Sequence, residues 1–228
     1  MISDRWKDYD ITPHYARDDN DAYSLPVVVR VERNVDYSEE DAFLAVSAAI
    51  TNLFSENSKS EEWNSSVEAW MRGRIRKIVR KARGAAWDKL FELDHIYAKH
   101  NNVEVMIFAP HRLDEPLPAE IKKLQVQGID FVPASPTSGS GTRLGVAVNP
   151  DIKMSTGKTL AQVGHAVQIA ILQADASIWD KWFVDSLWKV SIEPWDTMPD
   201  NSFDVIDAGL TEIPAGSLTV KSFWFLDK

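Results

Sequence analysis

The 228-residue chain contains no cysteine. Disulfides, a thiol nucleophile and thiolate metal sites are therefore excluded, and the composition fits a reducing compartment, so a cytoplasmic location is expected. No run of eighteen apolar residues occurs, so no membrane span is expected. The opening segment, MISDRWKDYDITPHYARDDND, has neither the basic nor the apolar stretch of a secretory signal. Excess positive charge is also missing, the net charge being −9. Taken alone, that argues against a polyanionic partner. Histidines number only five, and His14, His95, His100 and His111 show no metal-ligand spacing, so no metal or other cofactor is implied.

What remains is an ordinary globular composition, 44% hydrophobic and 26% charged, long enough for one large domain or two small ones. Residues 1–24 read as a polar tail. Pro26 to Arg33, rich in valine, reads as a strand, and Ser38 to Phe54 as a helix with Ser38 and Asp41 at its start. Residues 55–66 read as loop. Within Trp70 to Arg83, Lys77-Ile78-Val79 suggests a short strand. Apolar residues at helical spacing (Trp87, Leu90, Leu93, Ile96, Tyr97) predict a long helix over 85–99, followed by a strand from Val103 to Phe108.

Residues 133–142, PASPTSGSGT, form the clearest linker. Beyond it, strands are expected at Leu144–Val148, Trp188–Ile192, Asp204–Ile206 and Ser217–Phe225, with a helix at Thr159–Ala174. Strands alternating with helices predict a three-layer α/β/α fold with a mixed central sheet. Residues 25–132 and 143–228 repeat an order of strand, helix, tryptophan-containing segment and strand opening on lysine. That order suggests a degenerate internal duplication, with the long helix at 85–99 reduced in the second half to Pro194–Ser202.

Two stretches carry chemistry. In VAVNPDIKMSTGKTLAQVGHAVQIAILQA (146–174) a strand leads through a loop into a helix whose first amides and macrodipole favour an anion, with Lys153 and Lys158 alongside. Gly157-Lys158-Thr159 ends like a Walker A loop, but the leading glycine of that motif would fall at Ile152, which excludes it. Lys158, Gln162 and His165 are spaced by four and three and share one helical face. In DAGLTEIPAGSLTV (207–220), Asp207 ends a strand and Gly209, Pro214 and Gly216 shape a loop carrying Thr211 and Thr219. For the helix the plain alternative is a histidine packed in the core; for the loop it is an aspartate capping its own amides.

Together, KMSTGKTLAQVGHA and DAGLTEIPAGSLTV resemble the signature segments of the class II, archaeal and eukaryotic-type, peptidyl-tRNA hydrolases. The resemblance rests on Lys153, Met154, Gly157, Lys158, Ala161, Gln162, His165, Ala166, Asp207, Ala208, Gly209, Thr211, Gly216 and Thr219, and covers about residues 143–225. It implies hydrolysis of the ester joining a peptide to tRNA. It also implies Lys158, His165, Asp207, Thr211 and Thr219 as the catalytic set, with Lys153, Gln162 and Lys189 binding substrate. The chain departs from the family pattern at Glu193, where a lysine is usual, at Val148-Asn149, where an arginine is usual nearby, at Leu210, and in the missing second helix.

Trp70 to Arg83 carries Arg72, Arg74, Arg76, Lys77, Arg80, Lys81 and Arg83 with no acid among them. Arg76, Lys77, Arg80 and Lys81 are accordingly candidates for contacts to the tRNA backbone, the alternative being a solvated face. The first half lacks counterparts of Lys158, Gln162 and His165, and carries Ala109, Pro110 and His111 in place of the aspartate loop. Trp179, Trp182, Trp188 and Trp195 are expected in core packing. Two rivals to the hydrolase stand beside it: a catalytically silent tRNA-binding or RNA-binding protein on the same fold, motivated by Glu193 and the missing helix, and a protein-interaction scaffold. The family is dimeric, so either a homodimer or a monomeric pseudo-dimer of fused halves is expected.

Overall fold

The computed structural model describes residues 6, 16–17, 22–55, 59–136, 138–175, 177–179 and 189–227. Their strands form two mixed sheets, and the fold is α/β as expected. The first half runs β1 (Tyr23–Arg30), α1 (Glu39–Ser55), α2 (Glu61–Arg72), β2 (Arg76–Ala82), a short helical stretch comprising α3 (Ala85–Asp88) and a 3-10 turn (Lys89–Glu92), β3 (Ile96–His100), β4 (Val103–Ile107), β5 (His111–Arg112) and α4 (Ala119–Lys122). The second half runs β6 (Arg143–Val148), α5 (Thr156–Leu172), β7 (Val190–Ile192), a 3-10 turn at Trp195–Thr197, β8 (Phe203–Ile206) and β9 (Leu218–Phe225). No helix among the described residues is long and apolar enough to cross a membrane.

The sheets share one topology. The first is ordered β2-β1-β4-β3, with β5 added beside β1; the second is ordered β7-β6-β9-β8. In each, the first two strands of the half pair in parallel, while the first and fourth, and the third and fourth, pair antiparallel. The valine run of β1 is continuous because both its faces are covered. Leu25, Val27 and Val29 enter the main core, and Val28 enters a smaller cluster with Trp87, Leu90, Met106 and Ile121 on the other face.

The N-terminal part departs from expectation at three places. The helix expected over 85–99 stops at the 3-10 turn, and Ile96–His100 is a strand with Ile96 and Ala98 inward and Tyr97 and Lys99 outward. A 3.6-residue pattern up to Leu93 had run on by coincidence into a two-residue alternation. The second half places only a 3-10 turn between its second and third strands, so the expected difference between the halves shrinks to the short α3 and one residue of 3-10 turn. The segment 55–66 read as loop contains the start of α2, capped by Ser60, whose side chain accepts from the Trp63 amide. Trp6, within the expected polar tail, is buried edge-on against Phe54 with ring centroids 5.9 Å apart.

Helices α1 and α5 pack against each other, α1 on its own sheet and α5 on β6, β8 and β9. Each also reaches across to the other half, α5 to β2 and α1 to β7. Ser222 Oγ donates to Ala166 O at 3.1 Å and Trp224 Nε1 to Ala170 O at 3.0 Å, which fixes α5 on β9.

Glu193 lies in this framework rather than in a substrate site. It is 2% exposed and accepts from Arg143 Nε at 2.9 Å, Ser191 Oγ at 2.5 Å and Gly139 N at 3.1 Å. Burial alone would raise its pKa, but the Arg143 guanidinium, the Ser191 hydroxyl and the Gly139 amide outweigh burial and hold the carboxyl below its ordinary 4.5. The pair's stabilisation is therefore full above pH 4.5 and lost as pH falls through the lowered folded value. Arg143→Met leaves that carboxylate buried without its cation, and we expect a loss of ~3 kcal/mol in urea unfolding at pH 7. Glu193→Gln should reduce the steepness of acid destabilisation below pH 4.5.

Candidate active site

Helix α5 begins where a hydroxyl residue in extended conformation can cap it. Ser155 accepts from the Lys158 amide at 3.3 Å, and its carbonyl accepts from the Thr159 amide. The next turn holds no acid but carries Lys158, the sign that a helix N-terminus disfavours by ~0.3–1 kcal/mol at a surface. The missing negative charge comes from the loop after β8. Glu212 accepts from Ser155 Oγ at 2.6 Å and from Ser155 N at 3.1 Å, so the anion seated at this helix start is the protein's own. Sequence reasoning passed over both residues; the legible signal was the hydroxyl cap with its cation three residues on.

The same loop brings Asp207 onto α5. Lys158 Nζ donates to Asp207 Oδ2 at 2.5 Å and to Thr211 Oγ1 at 2.9 Å. Gln162 Nε2 donates to the same Oδ2 at 2.6 Å, and the Gly209 amide to Oδ1 at 2.8 Å. Gly209 has φ of 72°, and a Cβ there would lie 2.7 Å from the Ala215 amide nitrogen, so the turn that aims this amide excludes a side chain. A carboxylate offers about four acceptor positions; within the described residues three are filled and one on Oδ1 remains. The ammonium of Lys158 likewise has two of its three N–H groups engaged within the described residues.

These groups lie on the wall of an open cleft of about 1000 Å³. Lys158, Gln162, His165, Asp207 and Thr211 all line it, so the structure gathers most of the expected catalytic set. Thr219 is the exception. It is fully buried, 2.9 Å from Gln162 Oε1 and 3.1 Å from Val205 O, and holds Gln162 from behind instead of facing the cleft. Arg74 to Val79, from the N-terminal half, also line the cleft. Leu113, Val126 and Leu210, each between 45% and 48% exposed, make part of the rim apolar.

The expected substrate-binding residues divide. Gln162, Arg76 and Lys77 line the cleft. Lys153 and Lys189 are exposed but lie outside the cleft lining. Arg80 donates to Leu124 O at 2.8 Å and Lys81 to Gly128 O at 2.6 Å, so both are drawn onto the 124–128 loop instead of forming an open phosphate track. Lys77 turns inward and is only 8% exposed, because alternate residues of β2 face α5. Its amine lies 3.0 Å from His165 Nδ1 and donates to Gln168 Oε1 at 2.6 Å. Glu193 is not part of the cleft lining. Trp182, Trp188 and His14 lie outside the described residues; Trp179 is buried, and Trp195 stacks under Lys221 at 4.8 Å. No group of three or more His, Asp or Glu side chains suited to a metal ion occurs among the described residues.

A family model described as peptidyl-tRNA hydrolase PTH2 matches residues 142–196. The match takes in Lys158, Gln162 and His165 and ends before Asp207. No solved structure matches the chain.

The buried link from Thr219 to Gln162 to Asp207 gives a direct test. Thr219→Val keeps the shape but leaves the Gln162 carbonyl without its hydroxyl donor, and we expect a loss of ~1–3 kcal/mol in urea unfolding. An unchanged midpoint would show that the link bears no load.

Proposed function

We propose that this protein hydrolyses the ester joining a peptidyl group to tRNA. The observation that carries the reading is the meeting of Lys158 and Asp207, forty-nine residues apart in sequence and 2.5 Å apart in space, on the wall of an open cleft. Support also comes from the family match over residues 142–196. Ester hydrolysis requires a water directed at the carbonyl carbon and a donor for the developing oxyanion. The remaining acceptor position on Asp207 Oδ1 orients the water. The remaining N–H of Lys158, reinforced by the positive end of α5, faces the oxyanion or the terminal phosphate. Gln162 and Gly209 keep the carboxylate in place, and Thr211 holds the ammonium. Thr219 acts one step further back, through Gln162. No covalent intermediate is invoked, since no nucleophile–histidine–acid triad is present among these residues.

The silent-binder reading rested on Glu193 and on a missing helix. Glu193 is paired with Arg143 outside the cleft lining, and neither half places a long helix between its second and third strands. We read the first half as a copy of the second that has lost its chemistry, and the whole chain as a monomeric pseudo-dimer. The shared topology and the reciprocal contacts of α5 with β2 and α1 with β7 support this. On this reading tRNA approaches along the wall bearing Arg74 and Arg76.

The test is release of peptide from an N-acyl-aminoacyl-tRNA by wild type, Lys158→Ala and Asp207→Asn. Each substitution should lower kcat by about 100-fold or more, the loss typical of removing a preorganised charge or donor. Equal rates in all three proteins would refute the assignment. Binding without any turnover in the wild type would return the reading to a silent tRNA-binding protein.

A further inference from the structure

The cleft has a second polar cluster. Lys77 leaves β2, in the N-terminal half, and crosses the face of α5 at Gly164. A Cβ on residue 164 would lie 3.1 Å from Lys77 Cδ and 3.3 Å from Cε, tighter than ordinary contact. Glycine inside a helix costs about 0.5–1 kcal/mol relative to alanine, and here it opens a channel for the lysine stem. Beyond the channel the amine meets two acceptors and a ring face: His165 Nδ1 at 3.0 Å, Gln168 Oε1 at 2.6 Å, and Trp70, whose centroid is 4.8 Å away. No carboxylate pairs with it among the described residues. A lysine only 8% exposed and held in this way is poorly explained as a surface charge.

We propose that Lys77 is a positioning residue for His165, so that the N-terminal half completes the active site of the C-terminal half. An amine carries no acceptor when charged and donates in either state when facing a bare imidazole nitrogen. Its donation to Nδ1 leaves the imidazole proton on Nε2. His165, which lines the cleft, is thereby held as a neutral N–H donor with one ring orientation. Gln168, fully buried, fixes the amine from the other side through its carbonyl. Burial drives the Lys77 pKa well below 10.5, and in either charge state the amine has an N–H for Nδ1 besides the one given to Gln168. The role of His165 follows from this. With Nδ1 engaged by the amine, His165 does not act as a base through that nitrogen.

The inference rests on the cleft being the reactive site, yet its test needs no turnover. The full chain labelled with nitrogen-15 at histidine is compared with Lys77→Met, which fills the same channel without a donor, and with Gly164→Ala, which displaces the lysine stem. In the wild type, the His165 Nδ1 resonance should lie in the unprotonated range and Nε2 in the protonated range. In Lys77→Met the Nδ1 resonance should move upfield as part of the population takes its proton there, and Gly164→Ala should move it the same way by less. A wild-type His165 protonated on Nδ1, or the same pair of shifts in all three proteins, would overturn the proposal. Should Lys77→Met fail to fold by circular dichroism, the Gly164→Ala comparison decides alone. If the shifts behave as stated while peptidyl-tRNA is not cleaved, the clamp stands and the substrate assignment falls.

Discussion

The carboxylate of Asp207 is the point on which the site depends. It receives Lys158 and Gln162 from α5 and the Gly209 amide from its own loop. Without it, a lysine in the first turn of a helix faces a macrodipole of like sign, and a buried glutamine amide has no acceptor. With it, the loop of residues 207–217 and the start of α5 become one unit, closed at its outer end by Glu212 on Ser155. Buried polar groups persist when each has its partner. Asp207, Gln162 and Thr219 each have a partner among the described residues, and one acceptor position on Asp207 Oδ1 is left toward the cleft.

The residues of this unit were legible in sequence because each is fixed by local chemistry. The spacing of Lys158, Gln162 and His165 gave their common face, and the glycines of the 207–217 loop gave its shape. The strands of the second half and α1 were legible from pattern as well. What pattern could not give was the destination of a side chain set by another element. The basic run at 72–83 read as one surface, but β2 alternates, and its inward positions were decided by α5, some eighty residues away. Both Arg76 and Lys77 contribute to the cleft lining, but Lys77 is turned onto α5 and only 8% exposed. Likewise Glu193 looked like a charge reversal at a substrate site until Arg143, fifty residues earlier, was found to neutralise it.

The first half, with the same strand order, carries a different set of side chains at the corresponding place. Its helix α1 begins with Glu39, Glu40 and Asp41, and Asp41 accepts from Asn101 Nδ2 at 2.8 Å, just beyond β3. Topologically this is where Lys158 meets Asp207 in the second half, with the acid now on the helix. The aspartate loop has no equivalent there: β3 and β4 are joined directly by Asn101 and Asn102. The stretch Ala109 to His111, taken as its replacement, lies after β4 instead. A helix-to-strand-end cross-link occurs in both halves, which marks it as a device of their common topology, and the one in the second half lines the cleft.

The wall that Arg74 to Val79 contribute sets a further condition. Translation from the N-terminus delivers β2 about eighty residues before α5, and more than a hundred before Asp207. Contacts that far apart along the chain form late, since the entropy of closing long loops must be met first. During synthesis, then, the lysine of β2 emerges with its hydrocarbon stem in water and its slot not yet made. The cleft is complete only when both sheets are packed together through α1 and α5, and a chain cut short before Asp207 has no carboxylate there to receive Lys158.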